Sequence, residues 1–166
     1  MLLVRHGPAG DKLAWAAKGR PDSERPLTKD GREKTKMAMR GLARMGPRPD
    51  VLATSPLARA FQTAELLEKA LKRKKKFVLT ELSPSASPAQ AVRVLPDEGV
   101  VAVVGHEPHL SRMMARCLGL GKPIGELKKG GAALIEFEGK ALAGRGRLRW
   151  LLTPSQLRVM GVSSGK

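Results

Sequence analysis

The segment Gly99-Val100-Val101-Ala102-Val103-Val104 is apolar throughout and mostly β-branched. Such a strand has no face to offer water, so it reads as a central strand of a parallel sheet with helices packed on both sides. Three more runs read as strands of the same sheet: Met1-Leu2-Leu3-Val4, Asp50-Val51-Leu52-Ala53-Thr54 and Phe77-Val78-Leu79-Thr80. Helical periods lie between them. Met37, Ala38, Gly41, Leu42 and Met45 follow an N-cap at Thr28 and stop at Gly46-Pro47, and Leu57, Ala60, Ala64, Leu67 and Leu71 follow Ser55-Pro56, read as a cap and a first-turn proline. Ser87-Pro88 caps a short helix through Ala91, Val92 and Leu95, and Leu110, Met113, Met114, Cys117 and Leu118 mark another. Ala132 to Phe137 and Arg147 to Leu152 pair as a hairpin, and Thr153-Pro154 caps a last short helix. This alternation predicts a three-layer α/β/α fold with a mostly parallel central sheet, residues 1–162 forming one domain and 163–166 a frayed tail.

In an open sheet of this class, ligands bind just past the carboxyl ends of the strands. The first strand ends in Arg5-His6-Gly7-Pro8, and the central strand in Gly105-His106-Glu107-Pro108-His109. Arg59 falls in the first turn of the helix after Thr54, where the macrodipole disfavours a cation. Singly, each has an ordinary explanation: a histidine after a strand is often a surface or capping residue, and an arginine in a first turn can reach to solvent. Together, two histidines and two arginines suit a tetrahedral oxyanion. A neutral histidine can attack phosphorus, guanidinium groups can fork onto phosphate oxygens, and a second histidine adds a donor. The competing use is metal binding, because His106 and His109 have helical spacing. Glu107 is expected to point elsewhere on that helix, no Cys, Asp or Glu completes a set, and two arginines would repel a dication. No metal and no cofactor is therefore expected.

The chain carries 31 basic and 15 acidic residues, a net charge of +16. That balance suits nucleic acid, an anionic membrane surface or phosphorylated substrates. Three Phe, two Trp and no Tyr leave little for base stacking, so nucleic acid is not expected. Lys72-Arg73-Lys74-Lys75-Lys76 reads as a solvated helix end, a nucleic-acid patch being the alternative. No apolar run approaches the ~20 residues of a spanning helix and no leader is evident, so a cytoplasmic protein without membrane contact is expected. The lone Cys117, flanked by Met113, Met114 and Leu118, reads as a core residue and fits a reducing compartment. Residues 9–26 lack a sustained period and read as a loop over the strand end, pinned by Trp15 or holding a short helix there.

Four blocks resemble, in order, those of the histidine phosphatase (phosphoglycerate-mutase-like) superfamily. Leu3-Val4-Arg5-His6-Gly7 resembles its Arg-His-Gly signature, and Arg25-Pro26-Leu27-Thr28-x-x-Gly31 the Pro-Leu-Thr helix start. Ser55-Pro56-Leu57-x-Arg59-Ala60-x-Gln62-Thr63-Ala64 and Gly105-His106-Glu107-Pro108 are similar to the two remaining blocks. The short length and Leu79-x-Glu81-Leu82-Ser83-Pro84 look most like the SixA-like phosphohistidine phosphatases. The resemblance implies a phosphoglycerate-mutase-like fold, His6 as the phosphorylated nucleophile, and a phosphate pocket of Arg5, Arg59 and His106. Glu81 matches the family acid by pattern. The implied substrate is a phosphohistidine-carrying protein. The alternatives are a phosphorylated small molecule cleaved as a phosphomonoester with Glu81 as general acid, or a basic module that binds phosphate or nucleic acid without turnover. Two departures bear on this choice. Pro8-Ala9-Gly10 stands where larger members carry Ser or Thr, and the segment after Glu81 is brief. An ester oxygen leaves poorly unless protonated, whereas the P–N bond breaks more readily, so a remote acid and an open pocket favour phosphohistidine.

Overall fold

The computed structural model describes residues 1–72, 76–97 and 99–162. Its centre is a six-stranded sheet of β1 (Leu2–Arg5), β2 (Val51–Thr54), β3 (Lys76–Val78), β4 (Val101–Gly105), β5 (Ala132–Phe137) and β6 (Gly146–Leu152). The spatial order is β3-β2-β4-β1-β5-β6. β3, β2, β4 and β1 run parallel, and β5 and β6 close one side antiparallel. The helices are α1 (Lys12–Ala16), α2 (Lys29–Met45), α3 (Ala58–Leu71), α4 (Pro88–Val94), α5 (His109–Leu118) and α6 (Pro154–Gly161).

Strand alternation divides the core in two. Leu2, Val4, Leu52, Ala102 and Val104 face α2, α3 and α6 through Met39, Leu42, Ala60, Leu67 and Leu157. Leu3, Ala53, Val101 and Val103 face α4 and α5 through Ala91, Val92, Leu110, Met113 and Cys117. This is the three-layer, mostly parallel arrangement expected of fully apolar strands. Every residue of β4 is buried. α2 and α6 approach so closely that a Cβ on Gly41 would overlap the Leu157 carbonyl.

Thr28 caps α2 by accepting from the Gly31 N–H at 2.9 Å, and Thr153 and Gln156 form a reciprocal capping box on α6. Ser55 does not cap α3. That helix begins at Ala58 behind Leu57, without a side-chain cap and without Pro56 in its first turn; the Ser55 hydroxyl lies 2.9 Å from His106 Nε2 and, among the described residues, accepts only from the Leu57 N–H, at 3.4 Å. Ser87 precedes α4 but makes no capping bond. Thr80 lies in a 3-10 turn over Thr80–Leu82 rather than in β3. The basic run is not one helix end: α3 stops at Leu71, Lys72 takes a left-handed conformation, and Lys76 opens β3. Lys76 bonds Glu68 at 2.8 Å and lies 4.3 Å from the Phe61 ring centroid. Residues 73–75 of that run, and the tail 163–166, lie outside the described residues. No helix among the described residues is long and apolar enough to cross a membrane.

Candidate active site

The carboxyl ends of β2, β4 and β1 lie side by side, with Thr54 abreast of Val104 and Arg5 abreast of Gly105. α2, the long helix between β1 and β2, and α5, which follows β4, pack on opposite faces of the sheet. Neighbouring strand ends whose helices diverge in this way are the place where open α/β sheets bind ligands. The backbone fixes it firmly. The His6 N–H donates to the Gly105 carbonyl at 3.0 Å, the Ser55 N–H to the Val104 carbonyl at 3.0 Å, and the Gly130 N–H to the carbonyls of Arg5 and His6.

His6 is 6% exposed, and its Nδ1 lies 2.7 Å from the Gly7 carbonyl. A carbonyl only accepts, so Nδ1 carries the proton and Nε2 keeps its lone pair. Burial, reinforced by the charges of Arg59, Arg5 and Lys129, lowers its pKa to about 4 against the partly compensating Gly7 bond. The Gly7 N–H donates to Thr63 Oγ1, which itself donates to the Arg59 carbonyl. The end of β1 is thus tied to the first turn of α3.

His106 is 2% exposed, its ring centroid 5.0 Å from that of His6. Its Nε2 is 2.9 Å from Ser55 Oγ. Burial, with the neighbouring charges of His6 and Arg59, lowers its pKa to about 2. The two arginines are held by groups far away in sequence. Arg5 Nη1 donates to the Leu127 carbonyl at 2.6 Å. Arg59 is 4% exposed; its Nη1 donates to the Asp22 carbonyl at 2.9 Å and its Nη2 to Asp22 Oδ2 at 3.0 Å. Burial tends to raise the Asp22 carboxyl, but the Arg25 bond and the Arg59 charge outweigh it and hold the group below its usual range. Once these bonds are made, Arg5 Nε, Arg59 Nε and His106 Nδ1 are buried without a hydrogen-bond partner.

Arg5, His6, Arg59 and His106 are therefore brought together. Glu81 is not brought to them by any hydrogen bond: it stands on the Thr80–Leu82 turn, its carboxylate accepting from Thr80 Oγ1 at 3.2 Å. Glu107 lies outside α5, and its carboxylate accepts from the Leu127 and Ser111 N–H groups, bracing the segment that holds Arg5. His109 is buried at the start of α5. His106 precedes that helix, so the two histidines do not share a helical face. Among the described residues no three His, Cys, Asp or Glu side chains gather as a metal site.

The sequence reading missed Asp22, the Leu127 carbonyl and the role of Ser55. The loop before α2 holds the short helix that the sequence allowed and is pinned by Trp15 as well. α1 and a 3-10 turn over Asp22–Glu24 lie in it, Trp15 Nε1 donates to the Pro21 carbonyl, and Arg25 bonds Asp22 Oδ1 and the Gly10 carbonyl. Asp22 lies three residues before Arg25-Pro26-Leu27-Thr28, and that proximity was the available signal.

The sequence profile of the histidine phosphatase superfamily (branch 1) matches residues 1–83, half of the chain. An uncharacterized protein of Picosynechococcus sp. is 35% identical over 116 residues, covering 66% of this chain and 67% of that protein. The structure of the protein histidine phosphatase SixA complexed with tungstate superposes with a TM-score of 0.79 at 25% identity, covering 94% of this chain and 97% of the other. The SixA structure from Agrobacterium tumefaciens gives 0.75 at 22% identity, over 92% and 96%.

Proposed function

Because the chain belongs to the histidine phosphatase superfamily (branch 1), we propose that it removes the phosphoryl group from phosphohistidine on a protein, through a covalent intermediate on His6. The observation that carries this reading is the set of three buried donors without partners, Arg5 Nε, Arg59 Nε and His106 Nδ1. A buried polar group left unpaired costs roughly 1–3 kcal/mol, so a crevice that gathers three of them suits an oxyanion. Arg5 and Arg59 hold the equatorial phosphoryl oxygens, and His106, protonated on Nδ1 while Nε2 accepts from Ser55, adds a neutral donor.

His6 Nε2 attacks phosphorus opposite the leaving nitrogen. The P–Nε2 bond forms as the substrate P–N bond breaks, and the substrate ring, protonated beforehand, departs as neutral imidazole. Water then attacks the phosphohistidine on His6, the P–Nε2 bond breaks, and the proton lost by water leaves with inorganic phosphate. His6 is neutral at physiological pH because burial has already lowered its pKa to about 4, so no base is needed to free its lone pair. No acid is required at the leaving nitrogen. The carboxylate closest to the pocket by hydrogen bonding is Asp22, ionised and paired with arginines, which suits it poorly to protonate an ester oxygen.

The test compares phosphate release from a phosphohistidine-carrying protein and from a simple phosphomonoester, with His6→Ala as control. Faster loss of the P–N phosphate, abolished by the substitution, is expected. Hydrolysis of the ester alone would turn the reading to a phosphomonoesterase. Oxyanion binding with no turnover of either would turn it to a phosphate-binding module.

A further inference from the structure

Arg59 has two edges from which it can present a pair of N–H donors: the end formed by Nη1 and Nη2, and the side formed by Nε and one Nη. Asp22 takes the end-on edge with both its main-chain carbonyl and its carboxylate, at 2.9 and 3.0 Å. Nε stays buried without a partner. Asp22 is in turn held by Arg25 Nε at 2.7 Å, and Arg25 Nη1 reaches the Gly10 carbonyl at 2.6 Å. The loop bearing this clamp is fastened by the Ala9–Leu27 bridge, by the Gln62 side chain accepting from the Leu27 N–H, and by Arg20 stacked 4.5 Å from the Trp15 ring centroid.

We infer that Asp22 is a positioning residue that dictates which edge of Arg59 meets the phosphoryl group, occupying the end-on edge so that substrate is held side-on through Nε. This rests on the phosphatase reading above. A long arginine side chain has many rotamers, and fixing it before the substrate arrives removes that ordering from the barrier. Arg25 matters to the same end. It compensates the carboxylate, so Asp22 need not leave Arg59 when a phosphate dianion arrives, and the clamp persists through the reaction. The loop from Gly10 to Arg25 is thus a built part of the site, although it contributes no atom that touches phosphorus.

The experiment measures kcat and KM for phosphoramidate, a small P–N substrate, and inhibition by orthovanadate, in the wild type, D22A, D22N, R59A and D22A/R59A. D22A is expected to lose kcat/KM by on the order of 10- to 100-fold and to bind vanadate more weakly, with D22N between it and the wild type. In the R59A background the D22A change should have almost no further effect, because Asp22 acts through Arg59. A merely structural role for Asp22 would instead give equal losses in both backgrounds, and that result would overturn the inference. Tighter vanadate binding by D22A would also overturn it, making Asp22 a competitor for Arg59 rather than its clamp. D22N, which keeps the side-chain shape, guards against a D22A protein that fails to fold. Should the wild type neither cleave phosphoramidate nor bind vanadate, the phosphatase reading itself falls and the inference with it.

Discussion

The His6 and His106 rings stand 5.0 Å apart at an interplanar angle of 53°. They are held from opposite sides, His6 through Nδ1 by the Gly7 carbonyl and His106 through Nε2 by Ser55. Two imidazoles this close, among arginines and out of water, cannot both be charged, and burial keeps them neutral with pKa values of about 4 and about 2. Ring resonances of His6 and His106 should therefore stay at their neutral positions as pH falls from 7 to 5 in a histidine NMR titration. A ring titrating near the ordinary value of 6.5 would contradict the geometry.

The same burial ties stability to pH. His109, also buried, has its pKa lowered from 6.5 by desolvation, so all three histidines of the chain resist protonation in the folded state. Unfolded, each takes up a proton near its ordinary value. Stability is then full above pH 6.5 and is lost as pH falls below it, through the His6 value of about 4 and on towards the His106 value of about 2. The slope is about 1.4 kcal/mol per pH unit for His6 and for His106 while the pH lies between 6.5 and the folded value of each. Urea unfolding at pH 7.5, 6 and 5 should show falling midpoints before most carboxylates titrate, and a flat profile would show that the rings are solvated.

Ser55→Ala should leave His106 Nε2 buried with no donor and release the tautomer that presents Nδ1 to substrate. We expect kcat to fall by on the order of 10-fold or more with a smaller change in KM, and stability to fall by about 1–3 kcal/mol. Ser55→Thr keeps a hydroxyl in place and should recover part of the rate. Steady-state kinetics beside thermal unfolding of both variants separates the two effects.

Ser55 also shows where the sequence could be read and where it could not. The strands and their order of appearance were legible because β1, β2 and β4 are apolar over consecutive residues and end abruptly in polar ones. Thr28 was legible as a cap because its bond closes three residues away. Ser55 carried the same local signature, yet its hydroxyl bonds His106, 51 residues distant, and α3 starts only at Ala58. Asp22 offered only its nearness to Arg25 as a local signal: its partner Arg59 lies 37 residues on, and its loop has no period to read. Lys76 was hidden by charge. In a run of cations nothing local singles out the one whose ammonium pairs with Glu68 beside Phe61. Tertiary partners, rather than propensity, decided each of these positions.

Gly7 follows His6 where the chain passes close under α2. A Cβ there would overlap Thr35 Oγ1, and Thr35 is itself buried and bonded to the Gly31 carbonyl at 2.6 Å. Gly7→Ala should cost about 1–3 kcal/mol and, by moving the carbonyl that fixes His6 Nδ1, lower kcat as well. Adding Thr35→Ala removes the offending hydroxyl and should restore part of both. Denaturation midpoints and rates for the two single variants and the double variant would show it, and additive losses would place the damage elsewhere.

Glu81 decides between the two phosphatase readings. An ester leaving group develops negative charge on oxygen and needs a proton, so a phosphomonoesterase with Glu81 as its acid would lose most of its rate in Glu81→Gln. A protonated imidazole leaving group develops no such charge. In this structure the Glu81 carboxylate accepts from Thr80 and forms no hydrogen bond to Arg5, His6, Arg59 or His106. Glu81→Gln should therefore change phosphoramidate turnover by less than about twofold. It should also leave the pH profile of kcat without a shifted basic limb. A loss of 10-fold or more on phosphoramidate, or a displaced basic limb, would show that the turn bearing Glu81 closes onto the crevice when substrate binds, and would restore Glu81 to the role that its sequence pattern implies.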